Sequence, residues 1–411
     1  MKLHILRTAQ SIAEVVTSGL CIGCGLCEAV TDGRIKMVEK QSGSIRPSPL
    51  NEFSSDEEAL LLSACPGVKV EPRHQNMPNN NAVWGNYSTL VYAWAGDADT
   101  RFRAATGGVL TALAVHLVKS KQVDFVLHIG PDPERPMRNR WLMSDTTESV
   151  ISNAGSRYGP VAPLAGLIKA LNRNQPFAII AKPCDLNAVA AFAKSDERVD
   201  ELCGHRLAMV CGGQSRLKKS IALLDEYGIE EKELNLFRYR GNGNPGRTRV
   251  ETKDGRVFEK TYLELWEDET GWEIETRCKF CPDPLGEAAD IAALDVWPGG
   301  SPEGEDAGFN GIVVRSDTGE NLVNSSVKMG DLVLGGTLTS EQLDDFQPHQ
   351  VSKKMKLLAR YDGLLEAGSI AIETSGLRLK TLGMRLSPEE RKVEQKNTSD
   401  RAIQGRFLET E

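Results

Sequence analysis

Three cysteines at strict spacing, in Cys21-Ile-Gly-Cys24-Gly-Leu-Cys27, constrain this chain more than any other feature. Seven residues cannot scatter three thiols, so the three share one small volume. The chain has nine cysteines in 411 residues, too few for a disulfide scaffold and too clustered for ordinary core thiols. Clustered thiols of this kind point to metal or redox chemistry. Three equally spaced thiols suit an iron–sulfur cubane, which takes a fourth thiolate from elsewhere. Cys65 is the next cysteine in the chain, and Pro66 after it blocks helix continuation, as at a ferredoxin-like ligand. A structural zinc held by four cysteines is the competing reading.

Cys278-Lys-Phe-Cys281 is a second, less specific pair. Cys184, in Ala181-Lys-Pro-Cys184-Asp, and Cys211, before two glycines, each follow a short apolar run that reads as a buried strand. Strand ends are where α/β sheets carry chemistry, so these two with the pair make four further candidate thiolates. Cys203 is either a spare ligand or a small buried hydrophobe.

Strand and helix signals alternate over 83–200: strands at 90–95, 123–128 and 177–181, helices at 107–119, 159–172 and 188–194. This predicts parallel βαβ units. The fold class expected is α/β (α+β overall), a mixed-sheet core with an N-terminal ferredoxin-like iron–sulfur module. Residues 1–80 form that module, with a helix over 55–63 and a polar linker over 74–81. Residues 83–200 form an α/β domain and 201–345 a second domain with the second cysteine group. Residues 346–411 form a helical tail, with a helix over 350–365 and a charged, exposed end from Ser387. A strand over 207–211, a helix over 215–230, strands over 235–239, 247–252, 256–260 and 311–315, and a turn at Asp317-Thr-Gly319 complete the pattern.

Three polar loops suggest a nucleotide-like ligand. Ala105-Thr106-Gly107-Gly108-Val109 opens a helix and reads either as an anion-accepting nest or as a turn with a cap. Ser152-Asn153-Ala-Gly-Ser156-Arg157-Tyr158-Gly159 offers an arginine for a phosphate and a tyrosine for a ring. Arg238-Tyr-Arg240-Gly241-Asn-Gly-Asn244-Pro-Gly246 is the third. The net charge of −8 argues against a nucleic-acid binder. No apolar run approaches the length of a membrane span. The first residues lack a signal pattern, so a cytoplasmic location is expected.

Taken in order, these motifs resemble the coenzyme F-420 hydrogenase/dehydrogenase beta-subunit family, which includes chlorophyll-metabolising reductases. The match continues through Lys182-Pro-Cys-Asp185, Cys211-Gly-Gly, Ala289-Asp-Ile291 and Gly308-Phe-Asn-Gly-Ile-Val-Val-Arg315, and spans about residues 15–375. The resemblance implies a flavin, FAD or FMN, which makes the mixed-sheet α/β core over 83–200 a flavin-binding core, and one or two [4Fe–4S] clusters. It implies Cys21, Cys24, Cys27 and Cys65 as ligands of the first cluster, and Cys184, Cys211, Cys278 and Cys281 as ligands of the second. Thr106, Gly107, Gly108, Val109, Asn153, Ser156, Arg157, Tyr158, Arg240 and Gly241 are expected at the flavin. Two departures stand out. Family members often have Gly-Thr-Pro-Cys-Gln where this chain has Ala-Lys182-Pro-Cys-Asp185, and commonly Trp where it has Asn244, a change expected to alter what stacks near the flavin.

The function expected is an oxidoreductase that passes electrons from a donor (ferredoxin, a reduced deazaflavin or NAD(P)H) through clusters and flavin to a small organic substrate. Lys182, Asp185 and Tyr158 are candidate proton donors, ahead of His128 and His205. The alternatives are an electron-transfer beta subunit of a larger redox complex and a non-catalytic zinc-binding protein. A homo-oligomer and a redox partner subunit are both compatible with the sequence.

Overall fold

The computed structural model describes residues 7–266 and 272–409. Its centre is an eight-stranded mixed sheet. In chain order the strands are β1 (Thr89–Ala95), β2 (Phe125–Pro131), β3 (Asn139–Ser144), β4 (Phe177–Ala181), β5 (Cys203–Met209), β6 (Ile291–Asp295), β7 (Asn310–Val314) and β8 (Leu332–Thr337). Their order across the sheet is β8-β1-β7-β6-β5-β4-β2-β3. Strands β2, β4, β5 and β6 run parallel, and the remaining pairings are antiparallel.

Alternation along the parallel strands explains the two-sided burial. Phe125, Leu127, Phe177, Ile179, Ala208, Ala292 and Leu294 belong to one core cluster. Val126, Ala178, Leu207, Ile291 and Ala293 belong to the other. Period-two side chains that are apolar on both faces need a layer on each face. Helices α1 (Val109–Lys119) and α3 (Asp317–Lys328) supply residues to the second cluster. Helix α2 (Pro183–Phe192) supplies the first, together with Ile12, Leu26, Leu61 and Ala64 of the cysteine-bearing segment.

Several expectations are corrected. Asp317-Thr-Gly319 is not a turn between strands but the first turn of α3, because Ser316 caps it by accepting the Gly319 amide. The helix expected over 159–172 begins only at Pro163, as a 3-10 turn running into Leu167–Leu171. Pro163 is tolerated there because a helix start needs no amide at that position. The same rule starts α2 at Pro183 rather than at 188, which puts Cys184 and Asp185 in its first turn. The asparagine run of the linker is strand Asn79–Asn81, paired with Gly85–Tyr87. The charged segment from Ser387 is mostly exposed, as expected, and forms helix α5 (Pro388–Ile403), with a complete capping box, packed on α4 (Pro348–Glu366). Among the described residues no helix is long and apolar enough to cross a membrane.

Candidate functional site

The carboxyl ends of β4, β5 and β6 open onto a cavity of about 790 Å³, where parallel sheets place their ligands. The loop after β1 and the start of α1 form one wall. Thr106 adopts a left-handed φ of 59°, and its hydroxyl donates to Asp295 at the end of β6. The Asn310 side chain accepts the amides of Gly107 at 3.0 Å and Val109 at 3.3 Å, and donates to the Leu294 carbonyl at 3.1 Å. The nest expected at this turn is therefore partly filled by the protein itself. Leu110 and Thr111, also on the cavity wall, carry the remaining first-turn amides. Asn310→Ala removes a buried acceptor from two amides, and we expect it to destabilise the fold by about 1–3 kcal/mol, read as a lower urea midpoint.

Thr106, Gly108, Val109, Asn153, Ser156, Arg157, Tyr158, Lys182, Asp185 and Arg240 all line this cavity. Gly107 and Gly241 are not among its wall residues. A side chain on Gly241 (φ 108°) would meet the Arg103 carbonyl at 2.5 Å, and one on Gly107 the Asn310 amide at 2.8 Å, so both allow close backbone contact instead. Arg157 directs its guanidinium into the protein, donating to Asn139 and to the carbonyls of Pro136, Arg138 and Phe237. It shapes the wall, and the phosphate contact expected of it is not its bonding pattern here. Asn244 is buried, donates to Asp306 at 2.8 Å and is not among the cavity wall residues either. His128 lines the cavity, contacts the Ser144 hydroxyl at 2.8 Å, and burial holds its pKa down at about 4, so it is neutral at pH 7. His205 is not among the residues lining either cavity.

Sequence reasoning missed Asp295 and an aromatic wall. Arg240, 3% exposed, pairs with Asp295 at 3.2 Å and sits over the rings of Trp297 (4.8 Å) and Tyr262 (5.3 Å). Burial opposes its charge, but Asp295 and the Tyr158 hydroxyl outweigh that and hold the guanidinium protonated. Tyr158 meets Trp266 edge-on at 4.7 Å, and Trp266 stacks on Trp272 at 4.1 Å. Trp266, Trp272 and Trp297, half of the chain's six tryptophans, line this one cavity, and that concentration was the available signal.

The cysteines gather as two tetrads. Cys27 is in electrostatic reach of Cys24, Cys21 and Cys65, and Cys24 of Cys65 and Cys21. Cys184, Cys211, Cys278 and Cys281 line one small second cavity. Cys203 lies apart from both, beside Arg206 and Asp290. Burial raises Cys65 and Cys278 to about 12, so as free thiols they are neutral at pH 7. Backbone amides and buried cations act in the opposite direction, without outweighing burial. Sγ of Cys65 accepts the Gly67 amide at 3.4 Å, and Sγ of Cys278 accepts the Gln214 amide at 3.3 Å. Buried Arg46 acts on Cys21, and buried Arg277 on Cys281, Cys184 and Cys278. Among the described residues no three His, Cys, Asp or Glu converge on a single metal ion. The loop of Cys211 is tied to α4 by Gln350 Nε2 on the Cys211 carbonyl (2.8 Å) and Lys353 Nζ on the Gly212 carbonyl (2.9 Å).

Lys182, Cys211, Gly213 and Gln214 line both cavities, so the second tetrad and the large cavity share a wall. Lys182 Nζ pairs with the fully buried Asp185 at 2.7 Å. Burial disfavours that ammonium, yet Asp185 and the neighbouring thiols outweigh the penalty and keep it charged.

The carboxyl ends of the parallel strands thus carry a large cavity that shares a wall with one of the two cysteine groups. This chain belongs to the coenzyme F420 hydrogenase/dehydrogenase beta-subunit family: the N-terminal family model matches residues 90–169 and the C-terminal one residues 175–337. The Cys21–Cys65 segment lies outside both. The chain is 24% identical over 336 residues to coenzyme F420-dependent sulfite reductase of Methanocaldococcus jannaschii, covering 76% of this chain but 47% of that protein, about half its length. It is 25% identical over 276 residues to coenzyme F420 hydrogenase subunit beta of Methanococcus voltae, covering 64% of this chain and 88% of the relative. A chain of the xenon-derivatised F420-reducing [NiFe] hydrogenase complex from Methanosarcina barkeri has the same fold, with a TM-score of 0.55 and 17% identity over 71% of this chain and 98% of that one.

Proposed function

We propose that this chain is the electron-transferring beta subunit of a larger redox complex, binding two [4Fe–4S] clusters and a flavin and exchanging reducing equivalents with a deazaflavin. The observation that carries this reading is the shared wall: Lys182, Cys211, Gly213 and Gln214 line both the large cavity and the small cavity that holds the second set of cysteines. The relatives named as F420-dependent hydrogenase and dehydrogenase subunits favour the subunit reading over a stand-alone reductase, and a deazaflavin over ferredoxin or NAD(P)H.

Clusters carry single electrons, and a flavin converts them to a hydride. The residues prepare both. Eight thiols supply two sets of four ligands, and amide donors with buried Arg46 and Arg277 offset the negative charge. Arg240, locked by Asp295 and Thr106, presents a fixed cation beside the aromatic wall, suited to a planar, electron-rich ring or an anionic edge. The Lys182 ammonium and Tyr158 hydroxyl are hydrogen-bond donors on the same wall, and Asp185 orients Lys182. The aromatic side chains exclude water.

Anaerobic purification with iron, sulfide and flavin quantified together tests the proposal. About eight irons and one flavin per chain are expected. Arg240→Ala should lose most of the flavin and keep its iron. A colourless sample containing zinc would end the redox reading. Full turnover by the isolated chain, with no second polypeptide co-purifying, would restore the stand-alone enzyme.

A further inference from the structure

We propose that Gln214 is the strut that couples the two cysteine tetrads, so that electrons pass directly between them before reaching the cavity. This rests on the cluster reading above and adds the order of the relay. Gln214 is 4% exposed and was singled out by no sequence motif. Its backbone amide donates to Cys278 Sγ at 3.3 Å, in the second tetrad. Its side-chain Nε2 donates to the Ile22 carbonyl at 3.2 Å, and Ile22 lies between Cys21 and Cys24 of the first. One residue thus bonds to a ligand atom on one side and to the ligand loop on the other.

Packing runs along the same line. Ile22, Cys184 and Cys278 form one buried cluster, and Cys24 packs against it. A second strut repeats the connection: Arg277, next to Cys278 in the chain, donates to the Pro66 carbonyl at 2.8 and 3.1 Å, beside Cys65. Both halves of the first ligand set, the triplet and the distant cysteine, are therefore hydrogen-bonded to residues of the second. Gln214 is also on the large cavity's wall, and its Oε1 is a buried acceptor with no partner. An amide side chain stays neutral, so it fixes the separation of the two sites without adding charge. In the transfer, one electron leaves the reduced N-terminal cluster, which is oxidised, and enters the oxidised second cluster, which is reduced. No bond breaks and no proton moves at Gln214. It is a positioning residue.

The test uses the full chain, purified anaerobically, with Gln214→Met and Gln214→Glu. Both keep the side-chain length and the backbone amide, and neither can donate to the Ile22 carbonyl when Glu is ionised. The expected result is unchanged iron and flavin content, a weaker magnetic interaction between the two reduced clusters in electron paramagnetic resonance, and electron passage between them slowed about tenfold or more in freeze-quench experiments. Gln214→Glu keeps the test decisive should the Met variant not fold. Unchanged coupling and rate in either folded variant would overturn the strut, and so would loss of iron from the second site, which would make Gln214 merely structural. Wild-type protein without iron would instead sink the cluster reading itself.

Discussion

Replacing Cys24 with Ala, and separately Cys281 with Ala, each removes about four irons from the anaerobically purified chain and leaves the other four in place. The two residues come from tetrads built on different parts of the chain, and each tetrad has its own four thiols. Cys24 sits with Cys21, Cys27 and Cys65, and Cys281 shares a small cavity with Cys184, Cys211 and Cys278. A cubane with three thiolates in a buried site leaves one iron without its protein ligand, so assembly at that site fails as a unit. Cys203→Ala is the control: its thiol is fully buried against Arg206, pushed up to about 11 by burial, and belongs to neither tetrad. It should lose no iron. Iron and acid-labile sulfide assays on the three variants decide the matter. A Cys281 variant with full iron would reduce the chain to one cluster, and a Cys203 variant with less would redraw the second ligand set.

How far the sequence carried this reading depends on how local each feature is. The Cys21–Cys27 triplet is legible because its members are neighbours in the chain, and strand β4 because its apolar run is continuous. Cys184 and Cys211 were legible through their place just past strands, though β5 ends at Met209 and the cysteine lies two residues on. Asp295 was not legible: it meets Thr106 across 189 residues of chain, through a β6–α1 juxtaposition that no local pattern encodes. The aromatic wall failed for the same reason, since Tyr262, Trp266 and Trp272 follow a small antiparallel sheet (Leu234–Arg238, Thr248–Thr252 and Val257–Lys260) and reach a cavity formed by other elements. Arg157 shows the converse. Its type suggested an anion, but neighbouring carbonyls claim its donors first, because a buried guanidinium must bond to what surrounds it. Strands β3 and β8 flank the sheet and are only partly buried, so their apolar alternation is weak.

The other large effect lies behind the second tetrad, and it concerns stability. Glu287, only 1% exposed, follows the Cys278–Cys281 loop and receives Lys354 of α4 at 2.7 Å and Arg378 at 2.5 Å. Lys354 also donates to the Val83 carbonyl at 2.6 Å, and neighbouring Arg315 donates to the carbonyls of Trp84, Asn86 and Leu285. One carboxylate, just beyond the cysteine loop, therefore pairs with α4 and with Arg378, and lies within electrostatic reach of Arg315 at the end of β7. Burial alone would raise its pKa, but the charges of Lys354, Arg378 and Arg315 outweigh that and hold it at about 2. Glu287→Gln keeps the volume and deletes the charge, leaving Lys354 fully buried and unpaired, so we expect a loss of roughly 3–5 kcal/mol. Adding Lys354→Met should recover part of it, since the stranded ammonium is then gone as well. The pH dependence has a fixed sign. Because the folded pKa lies below the ordinary carboxylate value of about 4.3, the contribution is fully present above that value and is lost as pH falls from about 5 towards 2. Urea titrations of wild type and Glu287→Gln across that range should therefore converge at the acid end. Parallel curves, offset equally at pH 7 and pH 3, would show that the side chain acts through packing rather than through its charge.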